Sequence, residues 1–340
     1  MGIFDRFRAT TPSGTSNDNP DASELDATRL IDEGHALEAE GKLDEAMQCY
    51  LEAIRVAPNP ARAHLNRGNI LLLKGDLNGA LDAFQDAIKH KPDYAGAYYN
   101  IGNALLGNKQ IDEAVASYRR ALEIQPDYAE VHCSLGVALK ELGQLDGAIE
   151  SFQRALEFKP DLVEGRLNLD AAIGDIFNRG NILMGSGQLG EAVAHYRRVL
   201  EIQPNYAEAH TTLGVALMSI GQVEGAVASY RCALQIKPDS AEAHSNLGIA
   251  LKELGQLDKA VASCRRALEL NPNFAEAHSN LGNVLIALGQ LDNAVASCRQ
   301  ALKIKPDFAE AHCNLGNALT YLGQLDNAMA SFRQALEIKP

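Results

Sequence analysis

Prolines return through this 340-residue chain at a fixed interval, and that interval dictates what the chain can fold into. They stand at Pro58, Pro92, Pro126 and Pro160, then at Pro204, Pro238, Pro272, Pro306 and Pro340. Every step is 34 residues except Pro160 to Pro204, which is 44. The segments between them are near copies. Ala241–Phe274 reads AEAHSNLGIALKELGQLDKAVASCRRALELNPNF, and Ala275 opens AEAHSNLGNVLIALGQLDNAVASCRQALKIKPDF. A chain of such copies stacks one small unit many times and has no single central core.

Each unit reads as two helices. Ala241, His244, Leu247, Gly248 and Leu251 recur at three- and four-residue spacing, the signature of one helical face. Gly255 and Gln256 interrupt the pattern, and Leu257, Ala260, Val261, Cys264, Ala267 and Leu268 resume it. Asn271–Pro272 then stops the second helix, because proline has no amide donor and restricts the residue before it. The first helix of each unit is called A here, the second B.

With each closing proline set at position 32, Gly holds position 8 in all nine units, from Gly34 to Gly316, and Ala holds position 20 from Ala46 to Ala328. Position 27 is Ala except at Val199. Position 24 is aromatic at Tyr50, Phe84, Tyr118, Phe152, Tyr196, Tyr230 and Phe332, with Cys264 and Cys298 in its place twice. This pattern over residues 27–340 resembles the tetratricopeptide repeat, although His mostly replaces the family's Trp at position 4. The resemblance implies an all-α, right-handed superhelical solenoid of helix-turn-helix repeats working as a protein-interaction scaffold.

The domain reading is a flexible leader over 1–22, repeats one to four over 23–162, a partial-repeat insertion over 163–172 and repeats five to nine over 173–340. The leader is rich in Ser, Thr, Asn, Gly and Pro and cannot bury enough surface to order itself. Ser23 and Asp26 then resemble a capping box. The extra residues sit in DLVEGRLNLDAAIG, Asp161 to Gly174, which aligns with the opening of a helix A whose own B helix is missing. Ten residues turn a helix by ~1000°, about 80° short of three turns. Either one helix runs on through Gly174 with its apolar stripe out of register, or the helix breaks there; both predict a discontinuity in the stack. After the last helix B no further helix follows in the sequence, so that face is expected to stack on something, a second copy included.

A net charge of −13 argues against nucleic acid, whose affinity rests on Lys and Arg meeting phosphates. No apolar run approaches the ~20 residues that cross a bilayer, and the first ten residues lack a secretory signal, so a soluble cytoplasmic protein is expected. Histidines recur at position 4, at His64, His132, His210, His244, His278 and His312. Neighbouring helices lie ~8–10 Å apart, too far for two such rings to share a zinc ion at ~2 Å. They read as structural. The six cysteines form no CxxC pair and read as reduced packing residues. No phosphate loop, nucleophile with its base, or EF-hand is present, so no enzyme activity, cofactor or metal is expected.

Position 6 is the candidate site. Asn66, Asn100, Asn178, Asn246, Asn280 and Asn314 fill it, with Asn168 in the partial repeat. Asparagine is a poor helix-interior residue, so something other than propensity places an amide there. In the family, helix A lines the inner surface. The ladder resembles the repeat arm of O-linked N-acetylglucosamine transferases, where similar asparagines hold the backbone of an extended peptide. That implies a peptide-binding groove, widened by Asn69, Asn103, Asn181, Asn283 and Asn317 at position 9. The competing reading is that these amides tie helices together. Glutamates at position 2 (Glu130, Glu208, Glu242, Glu276, Glu310) would favour basic ligands or simply complement the helix dipole. The expected function is a non-catalytic scaffold binding a protein or peptide ligand. The alternatives are the substrate-recruiting arm of a larger glycosyltransferase and self-assembly through the last repeat.

Overall fold

Eighteen α-helices and no strand make up the described residues, 22–340, of a computed structural model. The helices fall into two compact units divided between Ala172 and Ile173. The first contains α1 (Ala22–Ala39), α2 (Leu43–Val56), α3 (Ala61–Leu73), α4 (Leu77–His90), α5 (Ala95–Gly107), α6 (Ile111–Ile124), α7 (Ala129–Glu141), α8 (Leu145–Phe158) and the start of α9 (Val163–Gly185). The second contains the rest of α9, α10 (Leu189–Ile202), α11 (Ala207–Ser219), α12 (Val223–Ile236), α13 (Ala241–Glu253), α14 (Leu257–Leu270), α15 (Ala275–Ala287), α16 (Leu291–Ile304), α17 (Ala309–Tyr321) and α18 (Leu325–Ile338). Apart from Ala22, which opens α1 one residue before Ser23, the leader lies outside the described residues.

Each unit is a solenoid of helical hairpins, and the turn inside each hairpin explains its uniform length. Gly255 adopts φ +70°, a conformation a side chain resists. Its amide bonds Lys252 O at 2.9 Å while Gln256 N bonds Leu251 O at 2.9 Å, closing helix A in a Schellman arrangement. The same turn recurs along the chain, and in the third repeat Lys109 takes the glycine's place at φ 60°.

Inside the hairpin, helix B lays its position-24 side chain across the position-8 glycine of helix A. A Cβ built on Gly102 would lie 2.6 Å from Tyr118 Cδ1 and 2.9 Å from its Cζ, and the Tyr118 ring is fully buried. Glycine is therefore required by close approach. Cys264 and Cys298 fill the equivalent space against Gly248 and Gly282, both fully buried.

Position 3 of helix A is buried along both stacks. Ala63, Ala97, Val131, Ala209, Ala243, Ala277 and Ala311 are all fully buried there. Two helices depart from this rule. Position 3 is Arg29 in α1 and Asp175 in the second-unit part of α9, and both are exposed. Arg29 lies in the first described helix of the first unit and Asp175 at the start of the second.

Of the two courses open to α9, the structure takes the continuous helix, from Val163 to Gly185. It carries two helix-A registers ten residues apart. In the first, Gly165, Asn168, Leu169 and Ala172 occupy positions 3, 6, 7 and 10; in the second, Asn178 and Gly180 occupy positions 6 and 8. The division between units falls where the first register ends.

Candidate peptide groove

Successive A helices touch directly, as α13 with α15 and α15 with α17, whereas successive B helices make no comparable contact among the described residues. Within each unit the hairpins therefore curve towards their A helices, whose free faces line the inner side. In the second unit this side opens into a cleft of about 780 Å³ lined by Asn246, Ile249, Glu276, Ser279, Asn280, Asn283, Phe308, Ala309, Glu310, Cys313, Asn314, Phe332, Ala335, Leu336 and Lys339. Three position-6 amides thus share one cleft.

Two of the three are held from behind. Asn280 Nδ2 donates to Ser245 Oγ at 2.9 Å, and Asn314 Nδ2 donates to Ser279 Oγ at 3.0 Å and to Ser279 O at 3.3 Å. The acceptors sit at position 5 of the preceding helix A and are 1% exposed, out of reach of bulk water. The tie between helices and the groove lining are thus two faces of the same residue. These donations fix the plane of each amide; in Asn280, which donates once, Oδ1 and the second N–H are left over, and in Asn314, which donates twice, Oδ1 is left. Asn246 has no hydrogen-bond partner for its amide among the described residues, and Thr211 ahead of it bonds its own helix, to Ala207 O at 3.0 Å.

The first unit uses the same position differently. Asn66 Nδ2 lies 3.0 Å from His35 Nε2, and Asn100 Nδ2 donates to Asn69 Oδ1 at 2.7 Å. These amides are 7% and 0% exposed, closed off from any ligand. Asn168 Nδ2 points to Cys133 Sγ at 3.7 Å. Asn178, on the helix that opens the second unit, is exposed.

At position 9, a tyrosine at 24 engages the asparagine of its own hairpin. Tyr118 and Tyr196 donate their hydroxyls to Asn103 and Asn181 Oδ1, both at 2.8 Å, so those amides serve their own hairpins. Asn283 and Asn317 face Cys298 and Phe332 instead, which carry no hydroxyl, and neither amide has a partner among the described residues. A tyrosine hydroxyl at position 24 marks Asn103 and Asn181 in the sequence, whereas Asn69, with Phe84 at 24, is engaged by Asn100 of the next helix A.

The acidic row is partly neutralised. Lys305 Nζ lies 3.4 Å from Glu276 and Lys159 Nζ lies 2.8 Å from Glu130, a pairing of positions 31 and 2 within one repeat. The hydrogen bond it donates to Glu130 holds the Lys159 ammonium above its ordinary pKa. Glu310 and Lys339, the same two positions in the last repeat, both line the cleft.

The recurrent histidines have a packing role. His132, His210, His244, His278 and His312 each direct Nε2 to the carbonyl of the proline six residues before, at 2.9–3.1 Å. Each ring thereby latches a helix A to the end of the preceding hairpin. No group of three or more His, Cys, Asp or Glu side chains that could hold a metal occurs among the described residues. Nor is any described helix long and apolar enough to cross a membrane. Burial pushes the Cys264 and Cys298 thiols up to about 12, so both stay protonated.

Family models described as "TPR repeat" match residues 107–143, 180–221, 216–255 and 282–320, and models described as "Tetratricopeptide repeat" match 31–95, 83–116, 129–162, 241–274, 263–296 and 309–340. No curated protein matches the chain. Among solved structures, the chain is similar to a crystal structure of MamA at 31% identity, covering 47% of this chain and 94% of that one with a TM-score of 0.41. A second MamA crystal structure gives 30% identity over 49% and 91%, TM-score 0.42. MamA 41-end from Desulfovibrio magneticus RS-1 gives 20% over 49% and 94%, TM-score 0.43.

Proposed function

The chain belongs to the tetratricopeptide repeat family, whose members are protein-interaction scaffolds, and from that premise we propose that its second unit binds an extended segment of a partner protein without doing chemistry on it. The observation that carries this is the set of three amides, Asn246, Asn280 and Asn314, lining one cleft, two of them oriented by buried serines. Amide Oδ1 accepts from a ligand N–H and a free Nδ2–H, where one is left, donates to a ligand carbonyl, so recognition is of peptide backbone and tolerates sequence variation.

Spacing fixes the register. Adjacent packed helices lie ~8–10 Å apart and an extended strand advances ~3.3 Å per residue. One amide therefore meets about every third ligand residue, and three amides span roughly six. Glu310 and the apolar wall of Phe308, Phe332 and Leu336 supply what side-chain preference there is. A cytoplasmic setting belongs to the same proposal, with Cys264 and Cys298 acting as packing groups.

The test is capture from a random-peptide library by the full chain and by an Asn246→Ala, Asn280→Ala, Asn314→Ala variant, with an Asn66→Ala, Asn100→Ala variant as the control for stability. Retained peptides that are lost only with the second-unit changes support the groove. Equal retention by all three proteins would make the amides purely structural.

A further inference from the structure

Because successive B helices stand apart, a gap opens between α6 and α8 in the first unit, and it forms a cleft of about 440 Å³. Its floor is carbon, from Leu122 of α6 with Leu135 and Leu139 of α7. The polar groups beside that floor are already engaged: Ser151 Oγ donates to Gly147 O at 2.8 Å, and His132 Nε2 lies 2.9 Å from Pro126 O. Gly147 keeps the cleft open, since a Cβ built on it would lie 3.3 Å from Leu139 Cδ1, over the floor. Phe158 stacks its ring on that of His132, centroids 5.6 Å apart, and stays 41% exposed.

Two arginines flank this apolar floor, Arg119 from α6 and Arg154 from α8. Arg120, beside Arg119, is taken by Glu123 at 2.6 Å, whereas Arg119 has no carboxylate within ion-pair distance among the described residues. Arg154 is held loosely, 3.7 Å from Glu157, against 2.6–3.0 Å for the same pair of positions at Arg120, Arg198 and Arg266. Glu150 is the acid in the lining, and it pairs with neither arginine among the described residues. The combination does not recur in the sequence. Position 25 of one repeat and position 26 of the next are both Arg elsewhere only at Arg231 and Arg266, where Lys259 replaces the glycine, and position 30 is aliphatic or His in every other repeat.

We propose that this cleft binds a short acidic segment of a partner protein, with one aromatic side chain lying on the leucine floor against Phe158 and the carboxylates on either side of it meeting Arg119 and Arg154. Guanidinium forks match carboxylates, and a second ring gains offset or edge contact with the exposed Phe158. The site lies in the first unit, on the B-helix side, and shares no residue with the amide cleft.

The probe is a fluorescein-labelled nonapeptide, capped at both ends, with one phenylalanine between two pairs of aspartates, and its binding to the full chain is read by fluorescence anisotropy. Its affinity should exceed by about tenfold that of the same peptide with asparagine for aspartate, and exceed that of the peptide with alanine for phenylalanine. Arg119→Ala with Arg154→Ala should lose the preference for aspartate, and Glu150→Gln should tighten binding. Gly147→Asn, a residue that the same position holds at Asn293 and Asn327, should fill the cleft and abolish binding with helicity unchanged. Arg231→Ala with Arg265→Ala removes equal charge elsewhere and should leave the affinity unchanged. No binding, equal affinity for the aspartate and asparagine peptides, an equal loss with the Arg231 and Arg265 changes, or undiminished binding by Gly147→Asn would overturn the proposal. The Asn246→Ala, Asn280→Ala, Asn314→Ala variant should bind this probe as the unchanged chain does, so failure here is distinguishable from failure of the groove.

Discussion

Replacing glycine by alanine should have opposite signs at two helical positions of this chain. In an unconstrained helix interior the change gains ~0.5–1 kcal/mol by reducing the freedom of the unfolded chain. Gly174, within α9, meets nothing within 4 Å of a built Cβ, so Gly174→Ala should gain about that much. At Gly102 the new methyl would fall inside contact distance of three Tyr118 ring atoms. The ring is fully buried and its hydroxyl is fixed to Asn103, so it has little room to withdraw. Overpacking costs ~1–3 kcal/mol, which leaves a net loss of roughly 1–2 kcal/mol once the backbone gain is subtracted. The assay is urea unfolding followed by circular dichroism, with the transition of the first unit read separately because repeat arrays need not unfold in one step. If Gly102→Ala stabilises as Gly174→Ala does, the close approach of ring and glycine is not what holds these hairpins.

Four further outcomes follow from particular residues. Lys109 holds φ 60° where the other hairpin turns have glycine, a strain of ~1–2 kcal/mol for an ordinary side chain; Lys109→Gly should raise the urea midpoint of the first unit. Under native conditions a maleimide should label the exposed Cys313 while Cys264 and Cys298 react only after unfolding. The two buried thiols also set an alkaline limit. Folded, they ionise near 12 against an ordinary value of 9.0, so above pH 9 the unfolded chain sheds protons that the folded one keeps. Stability is thus full below pH 9 and falls towards pH 12, and Cys264→Ala with Cys298→Ala should flatten that fall in a pH series of unfolding curves. Finally, Asn280→Ala should cost ~1–2 kcal/mol by stranding the buried Ser245 hydroxyl, with part recovered in the Asn280→Ala, Ser245→Ala double variant.

The hairpins were legible because they are set by residues that repeat: the glycine at position 8 against the ring at 24, glycine at the turn and proline at the close. The change of period lies near the division at Ala172, and a second mark lies beside it. Arg29 and Asp175 put charge at position 3, where seven other A helices bury Ala or Val. Position 6 looked like one uniform ladder in sequence. What splits it is the residue at 5 of the preceding helix and the neighbour at 9: Ser245 and Ser279 anchor amides that still face a cleft, whereas His35 and Asn69 absorb amides in the first unit. Such differences depend on three-dimensional neighbours 31 and 35 residues away, which a pattern read one repeat at a time does not connect.

The central claim is that anchored amides in the second unit bond the backbone of an extended ligand at a regular interval. Its most direct test takes a captured peptide and measures its affinity with each backbone nitrogen methylated in turn, side chains unchanged. The account predicts losses at positions about three residues apart, absent in the Asn246→Ala, Asn280→Ala, Asn314→Ala variant. Losses that ignore backbone methylation and follow only side-chain changes would contradict it.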